Sequence, residues 1–205
     1  VARAAQKHLL LACPRLAPII TRVGPCTLEP TTDVFAALVR AVVSQLISSA
    51  AAKSISAKLT QALKGRVVPS RMLALNDDQF QACGVSASKR RTLRGIAELF
   101  ASTRGMNRIL LEAEDDRVRE ILLPLYGVGP WTVDMLLMFS LGRPDVLPVG
   151  DLGIQAAVKE LFRLRDLPDA KKLTKLAEPW RPYRTVASWY LWCTREGVPE
   201  SGELW

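Results

Sequence analysis

The sequence predicts an all-α protein. Apolar residues recur at helical spacing in almost every segment, and Asp, Ser, Asn or Pro stands where each helix should begin. Strand candidates shrink to the fragments Val67-Val68 and Val146-Leu147. About ten helices joined by short loops account for the chain.

Asp33 is a good N-cap for the first clear helix, in which Val34, Phe35, Leu38, Val39, Val42, Val43, Leu46 and Ile47 share one face. A second helix over about 49–63 turns Ile55, Leu59 and Leu63 inward. Ser70 and Asn76 read as caps of two short helices. Ser86 opens a longer one with Leu93, Ile96, Ala97 and Phe100 inward and Lys89, Arg90, Arg91 and Arg94 near its start. Asp115 reads as the cap of a helix ending near Leu123, and Pro130 stands at the first position of the next. Further helices are expected at about 151–163, 169–178 and 183–196. Trp180 and Trp189 belong with the core.

The chain has 205 residues, 49% apolar and 23% charged, enough for one domain or two lobes sharing one cleft. An excess of 28 Lys and Arg over 20 Asp and Glu, a formal charge of +8, points to a polyanionic partner, nucleic acid before anionic membrane. His8 is the one histidine, which disfavours His-based metal sites and Ser-His-Asp catalysis and leaves acid–base work to carboxylates, Lys or Tyr. Cys13, Cys26, Cys83 and Cys193 lie far apart without a CxxC pair, as expected of core residues in a reducing compartment. The apolar run Leu9–Cys13 is too short for a signal segment, and no run has membrane-spanning length, so a soluble intracellular protein is expected.

The segment Leu-Tyr-Gly-Val-Gly-Pro-Trp-Thr, residues 125–132, sets two glycines between two helices. Gly127 and Gly129 permit a tight turn with no Cβ in the way. The N–H groups of Gly127, Gly129, Trp131 and Thr132 then meet a phosphate at a helix N-terminus, a grip on DNA that reads no sequence. Val-Leu-Pro-Val-Gly-Asp-Leu follows at 146–152 and delivers Asp151 to the start of a helix. By itself Asp151 is as well explained as an N-cap. The cluster Ser86, Ser88, Lys89, Arg90 and Arg91 is a candidate second phosphate contact or a solvated helix face.

Together these blocks, with 33–59 and 177–192, resemble the helix-hairpin-helix DNA glycosylase superfamily with its Gly/Pro…Asp signature. The similarity is greatest to the alkylation-repair branch, DNA-3-methyladenine glycosylase II, over about residues 33–196; the first thirty residues carry no match. The resemblance implies a helix-hairpin-helix glycosylase fold in two lobes around a central cleft. It covers 1–205 as a single domain, with lobes of about 33–125 and 1–32 plus 126–205 and a hairpin at 121–134. It implies a monofunctional hydrolase that flips an alkylated purine from duplex DNA and leaves an abasic site; a non-catalytic helix-hairpin-helix protein binding damaged DNA is the alternative.

By the same resemblance Asp151 is the catalytic carboxylate, and Trp131, Met135 and Trp192 line the base pocket. Trp131 stands where bifunctional relatives carry a Schiff-base lysine, so no lyase activity is expected. Gln45 and Leu46 match the intercalating wedge, although the helical period also puts Leu46 on the apolar face. The carbonyls of Leu123, Leu125 and Val128 match a structural site for Na or K; no cofactor is required and no iron–sulfur cluster is expected. The partner is double-stranded DNA with alkylated bases, bound by a monomer, with no membrane. Two departures stand out. Tyr126 replaces a common proline, and Gly150 replaces an acidic residue often found beside the aspartate, which removes a carboxylate pair at that point.

Overall fold

The computed structural model describes residues 2–197, apart from the side chain of Glu196. Among these residues there are 13 α-helices, two short 3-10 turns and no strand. Val67-Val68 and Val146-Leu147 lie outside regular structure. The chain begins with α1 (Ala2–Ala12), a 3-10 turn at Pro14–Leu16 and α2 (Ala17–Val23), a start for which the sequence carried no expectation.

Eight helices follow: α3 (Val34–Ser44), α4 (Ser49–Ala62), α5 (Pro69–Ala74), α6 (Asp77–Ala82), α7 (Ala87–Ser102), α8 (Met106–Glu112), α9 (Asp115–Leu122) and α10 (Pro130–Phe139). The last three are α11 (Leu152–Phe162), α12 (Ala170–Leu176) and α13 (Arg184–Glu196), with a 3-10 turn at Glu178–Trp180 before α13.

Two compact units result. One holds residues 31–141, that is α3–α10; the other holds residues 2–30 and 142–197. The boundary therefore falls at Leu141, and the expected lobe border near residue 125 is corrected. The reason is α10, whose residues from Thr132 to Phe139 are all buried. A helix apolar on every side must be enclosed by neighbours, and α10 packs on α3 and α9. Thr31 N–H donates to the Phe139 carbonyl at 3.3 Å and Ser140 Oγ to the Thr31 carbonyl at 2.8 Å, which ties both crossing segments to this unit.

Within the first unit α3 is the central post. Asp33 caps it, its carboxylate accepting from Ala36 N at 3.0 Å, and nine of its eleven residues are buried. It contacts α4, α7, α8 and α10. The helix stops at Ser44, short of the expected Leu46 and Ile47. Asn76 caps α6 in a full capping box, as its spacing to Gln79 predicts. Two expected caps shift by a residue or two: Val68 caps α5, with Pro69 leading and Ser70 inside, and Glu114 caps α9, with Asp115 at its first position. Pro69 is pre-set for a first helical turn, which moves the start ahead of Ser70. The α8 helix has no side-chain cap and starts from Gly105 in the left-handed region, so no N-cap signal marks it.

The second unit is built on α13, which contacts α1, α2 and α11. Leu9, Leu16, Ile20, Val158, Trp180, Trp189 and Tyr190 are fully buried in it. His8 is structural here, its Nε2 donating to the Pro179 carbonyl at 3.1 Å. The loop 143–146 is fastened to the start of α13. Asp145 accepts from Arg184 Nε and Arg181 Nη1, both at 2.7 Å, and the Thr185 hydroxyl donates to the Arg143 carbonyl at 2.6 Å. Thr185 N–H donates to the Pro144 carbonyl at 3.0 Å, and Val146 N–H to Thr185 Oγ1 at 3.0 Å. Asp145→Ala strands a mostly buried guanidinium, so thermal denaturation followed by circular dichroism is expected to show a loss of about 2–3 kcal/mol, or roughly 4–10 °C in Tm.

Candidate active site and nucleic-acid interface

The hairpin joins α9 to α10 through two successive turns, Leu125 N–H to the Leu122 carbonyl and Val128 N–H to the Leu125 carbonyl, both 3.1 Å. Gly127 has φ +73°, and a Cβ there would overlap the Thr92 hydroxyl of α7, so glycine is required twice over. Gly129 differs: nothing lies within 4 Å of where its Cβ would stand. The backbone at this N-cap of α10 is thus open to close approach. Pro130 fixes the first turn of the helix, whose leading donors are the N–H groups of Trp131 and Thr132.

Three contacts that the sequence did not signal stiffen this hairpin. Arg119 Nη2 of α9 donates to Asp134 Oδ1 of α10 at 2.7 Å. Burial nevertheless pushes the Asp134 carboxyl above its ordinary range, with Arg119 opposing the shift. At the loop tip the Arg91 guanidinium lies 3.9 Å from the centre of the Tyr126 ring, and Tyr126 Oη is 3.3 Å from Ser88 Oγ. Tyr126, the departure from the common proline, is therefore held down on the start of α7.

Beside the hairpin is the end of α3. Leu46 is 99% exposed with φ +57°, so it is off the apolar face that the helical period suggested. For a leucine this left-handed geometry costs about 1–2 kcal/mol. The preceding residue is held in several places. Gln45 Nε2 donates to the Gly127 carbonyl at 3.0 Å and to Thr132 Oγ1 at 2.8 Å. Lys89 Nζ donates to the carbonyls of Val43 at 2.7 Å and Gln45 at 2.9 Å. Burial lowers the Lys89 pKa, because loss of hydration disfavours the ammonium. The structure thus gives Lys89 a capping role in place of the expected phosphate contact, because helix-end carbonyls are strong acceptors within its reach. Gln45 likewise ties the loop to the hairpin, while Leu46 projects.

In the other unit Asp151 caps α11. Its Oδ1 accepts from Ile154 N at 2.8 Å and from Trp192 Nε1 at 3.1 Å, and the residue is 8% exposed. Asp151 N–H donates to the Pro148 carbonyl at 2.9 Å, and Gln155 Nε2 to the Val149 carbonyl at 2.8 Å, which locks the turn. A Cβ on Gly153 would come within 3.1 Å of Asp151 Oδ1 and 3.4 Å of the Trp192 ring, so glycine leaves the pair undisturbed. Gly150, by contrast, faces open space. One oxygen of the carboxylate is thus oriented by two N–H donors, an arrangement that can meet positive charge on a sugar without movement.

Asp151 and Trp192 are brought together across 41 residues of sequence. Trp131, half-buried, and Met135, buried one turn later on the same helix, belong to the other unit. Leu123, Leu125 and Val128 fall in the hairpin turns; the Leu125 carbonyl also accepts the Val128 N–H. Three neutral carbonyls are a donor set suited to a monovalent cation, and a carbonyl already accepting one N–H keeps a second lone pair. Among the described residues no group of three or more His, Cys, Asp or Glu could hold a metal, and no helix is long and apolar enough to cross a membrane.

Residues 39–182 match the family described as HhH-GPD superfamily base excision DNA repair protein. The chain is 31% identical over 194 residues to the alkylbase DNA glycosidase-like protein mag2 of Schizosaccharomyces pombe, spanning 92% of this chain and 91% of that protein. It is 35% identical over 185 residues to DNA-3-methyladenine glycosylase 1 of the same yeast, spanning 88% and 80%. Among solved structures it resembles that of the S. pombe 3-methyladenine DNA glycosylase Mag1 in complex with abasic DNA, with TM-score 0.84 and 32% identity over 93% of this chain and 96% of that one. With hairpin, open glycine and fastened aspartate in place, the chain belongs to the HhH-GPD superfamily of base excision DNA repair proteins.

Proposed function

We propose that the protein is a monofunctional DNA glycosylase that turns a 3-methyladenine-type alkylated purine out of duplex DNA, hydrolyses its N-glycosidic bond and leaves an abasic site. The observation that carries this reading is Asp151, a nearly buried carboxylate held by Ile154 N–H and the Trp192 indole in a chain whose relatives are named for this activity.

Breaking the bond from sugar to base leaves oxocarbenium character on the sugar. The bonding electron pair leaves with the base, and on a ring-alkylated purine it neutralises the positive charge already there. The departing base then needs no proton from the enzyme, which agrees with a single histidine placed in a structural contact. Asp151 stabilises the cationic carbon and orients the water whose oxygen bonds to it, the surplus proton passing to solvent. Trp131, Met135 and Trp192 offer polarisable and aromatic surface to the cationic base, worth ~0.5–2 kcal/mol per well-placed ring. Trp131 in place of a lysine leaves no amine at that position to form an imine with the abasic sugar.

The hairpin N–H groups at Gly127, Gly129, Trp131 and Thr132 hold a phosphate, with Ser88 beside them. The carbonyls of Leu123, Leu125 and Val128 would bind a monovalent cation, which when present supplies charge for that phosphate. Leu46 fills the gap left by the extruded nucleotide, a reading supported by its full exposure on a backbone held at φ +57°. The protein acts as a monomer on intracellular DNA, without an iron–sulfur cluster.

Incubation with methylated duplex DNA is expected to release free alkylated purines, with no borohydride-trapped covalent complex. Asp151→Asn should slow release by at least about a hundredfold while lesion DNA stays bound. Binding without release by the unmutated protein would instead establish a damage-binding module. Trp192→Phe keeps the ring and deletes the donor to Asp151, so single-turnover excision is expected to fall roughly tenfold, the worth of one hydrogen bond to a charged group. Binding should weaken with salt, by roughly three- to fourfold between 50 and 200 mM for each phosphate that a basic side chain neutralises, measurable by fluorescence anisotropy.

A further inference from the structure

We infer that Lys89 is a positioning residue for strand invasion: its ammonium fixes the peptide plane that presents Leu46, with the Gln45–Thr132 bond as a second strut. This rests on the reading of Leu46 as the wedge. The Gln45 carbonyl belongs to the peptide joining residues 45 and 46. Rotation about the Leu46 N–Cα bond, the motion that would relieve φ +57°, must carry either that peptide or Leu46 itself. Lys89 Nζ holds the carbonyl of this peptide at 2.9 Å and the Val43 carbonyl at 2.7 Å, so the peptide is clamped to the last turn of α3. The Gln45 side chain is meanwhile tied to the Gly127 carbonyl and to Thr132 Oγ1, both on the hairpin. Thr132 is 1% exposed and cannot follow a moving loop. With the peptide held from α7 and the side chain from α10, Leu46 keeps its projecting geometry before DNA arrives.

A lysine that merely capped a helix would affect folding and every substrate alike. A lysine that presents the wedge matters only when a stacked base has to be displaced. The experiment therefore compares single-turnover excision of one alkylated purine in a fully paired duplex with that of the same purine in an unpaired central bubble, where extrusion is already done. Variants are Leu46→Ala, Lys89→Met, the double variant, and Thr132→Val as a volume-conserving break of the second strut, each checked for folding by circular dichroism.

Leu46→Ala and Lys89→Met are each expected to lower the paired-to-bubble rate ratio about tenfold, equivalent to roughly 1.4 kcal/mol of extrusion. The double variant should be no worse than Leu46→Ala, because Lys89 acts through Leu46. Thr132→Val should lower the ratio less and in the same direction, and it carries the test if Lys89→Met does not fold. An unchanged ratio in Leu46→Ala overturns the wedge reading itself. A lowered ratio in Leu46→Ala with an unchanged ratio in Lys89→Met and Thr132→Val, or additive losses in the double variant, overturns the inference and leaves the wedge standing.

Discussion

A loop of nine residues with two prolines and two glycines, 142–150, has few means of holding a shape by itself, yet it must deliver one carboxylate to a fixed point. What holds it is the start of α13. Arg184 and Arg181 close on Asp145, and Thr185 uses both its hydroxyl and its N–H on the carbonyls of Arg143 and Pro144. About two turns further along the same helix Trp192 donates to Asp151. One rigid helix therefore fastens the loop at its beginning and the aspartate at its end. A helix interior does not stretch, so the separation of the two fastenings is constant, and the orientation of the carboxylate follows from it.

The other unit solves the same problem for an apolar side chain. Ending α3 at Ser44 exposes carbonyls that would otherwise need water, and Lys89 supplies the donor. The cost is a lysine with a lowered pKa and a leucine in a disfavoured region. Structures accumulate such local costs at sites where geometry has to be present in advance. The hairpin repeats the pattern: Gly127 is pressed against Thr92, Asp134 is buried beside Arg119, and Tyr126 lies under Arg91.

Charge and composition fit this division of labour. The formal charge of +8 suits a polyanion such as DNA, whose phosphate spacing is the same in every sequence. Several of the basic residues are nevertheless occupied inside the protein, among them Lys89, Arg119 and Arg184. Net charge therefore names the kind of partner without naming the residues that meet it. The four cysteines are free thiols, and burial holds Cys193 up to about 12.

The local features of the chain could be read directly. Asp33, Asn76, Ser86 and Asp151 cap the helices their positions predict, because a cap depends on donors three residues away. Gly127, Gly129, Pro130 and Asp151 announced the hairpin and its aspartate because their chemistry is bound up with local turns. Periodicity failed at Leu46, since the pattern of apolar residues runs past the point where Lys89 ends the helix. It failed again at the lobe boundary, since burial on all sides of α10 depends on neighbours far along the chain. Trp192 on Asp151, Gln45 on Thr132 and Arg184 on Asp145 join residues 41, 87 and 39 positions apart. The sequence by itself determined most of the helices, the hairpin and the capping aspartate, which short-range spacing encodes. Only the tertiary structure decided which cation caps a helix, which leucine projects and which indole orients the carboxylate, because those choices depend on distances that exist only once the helices have packed.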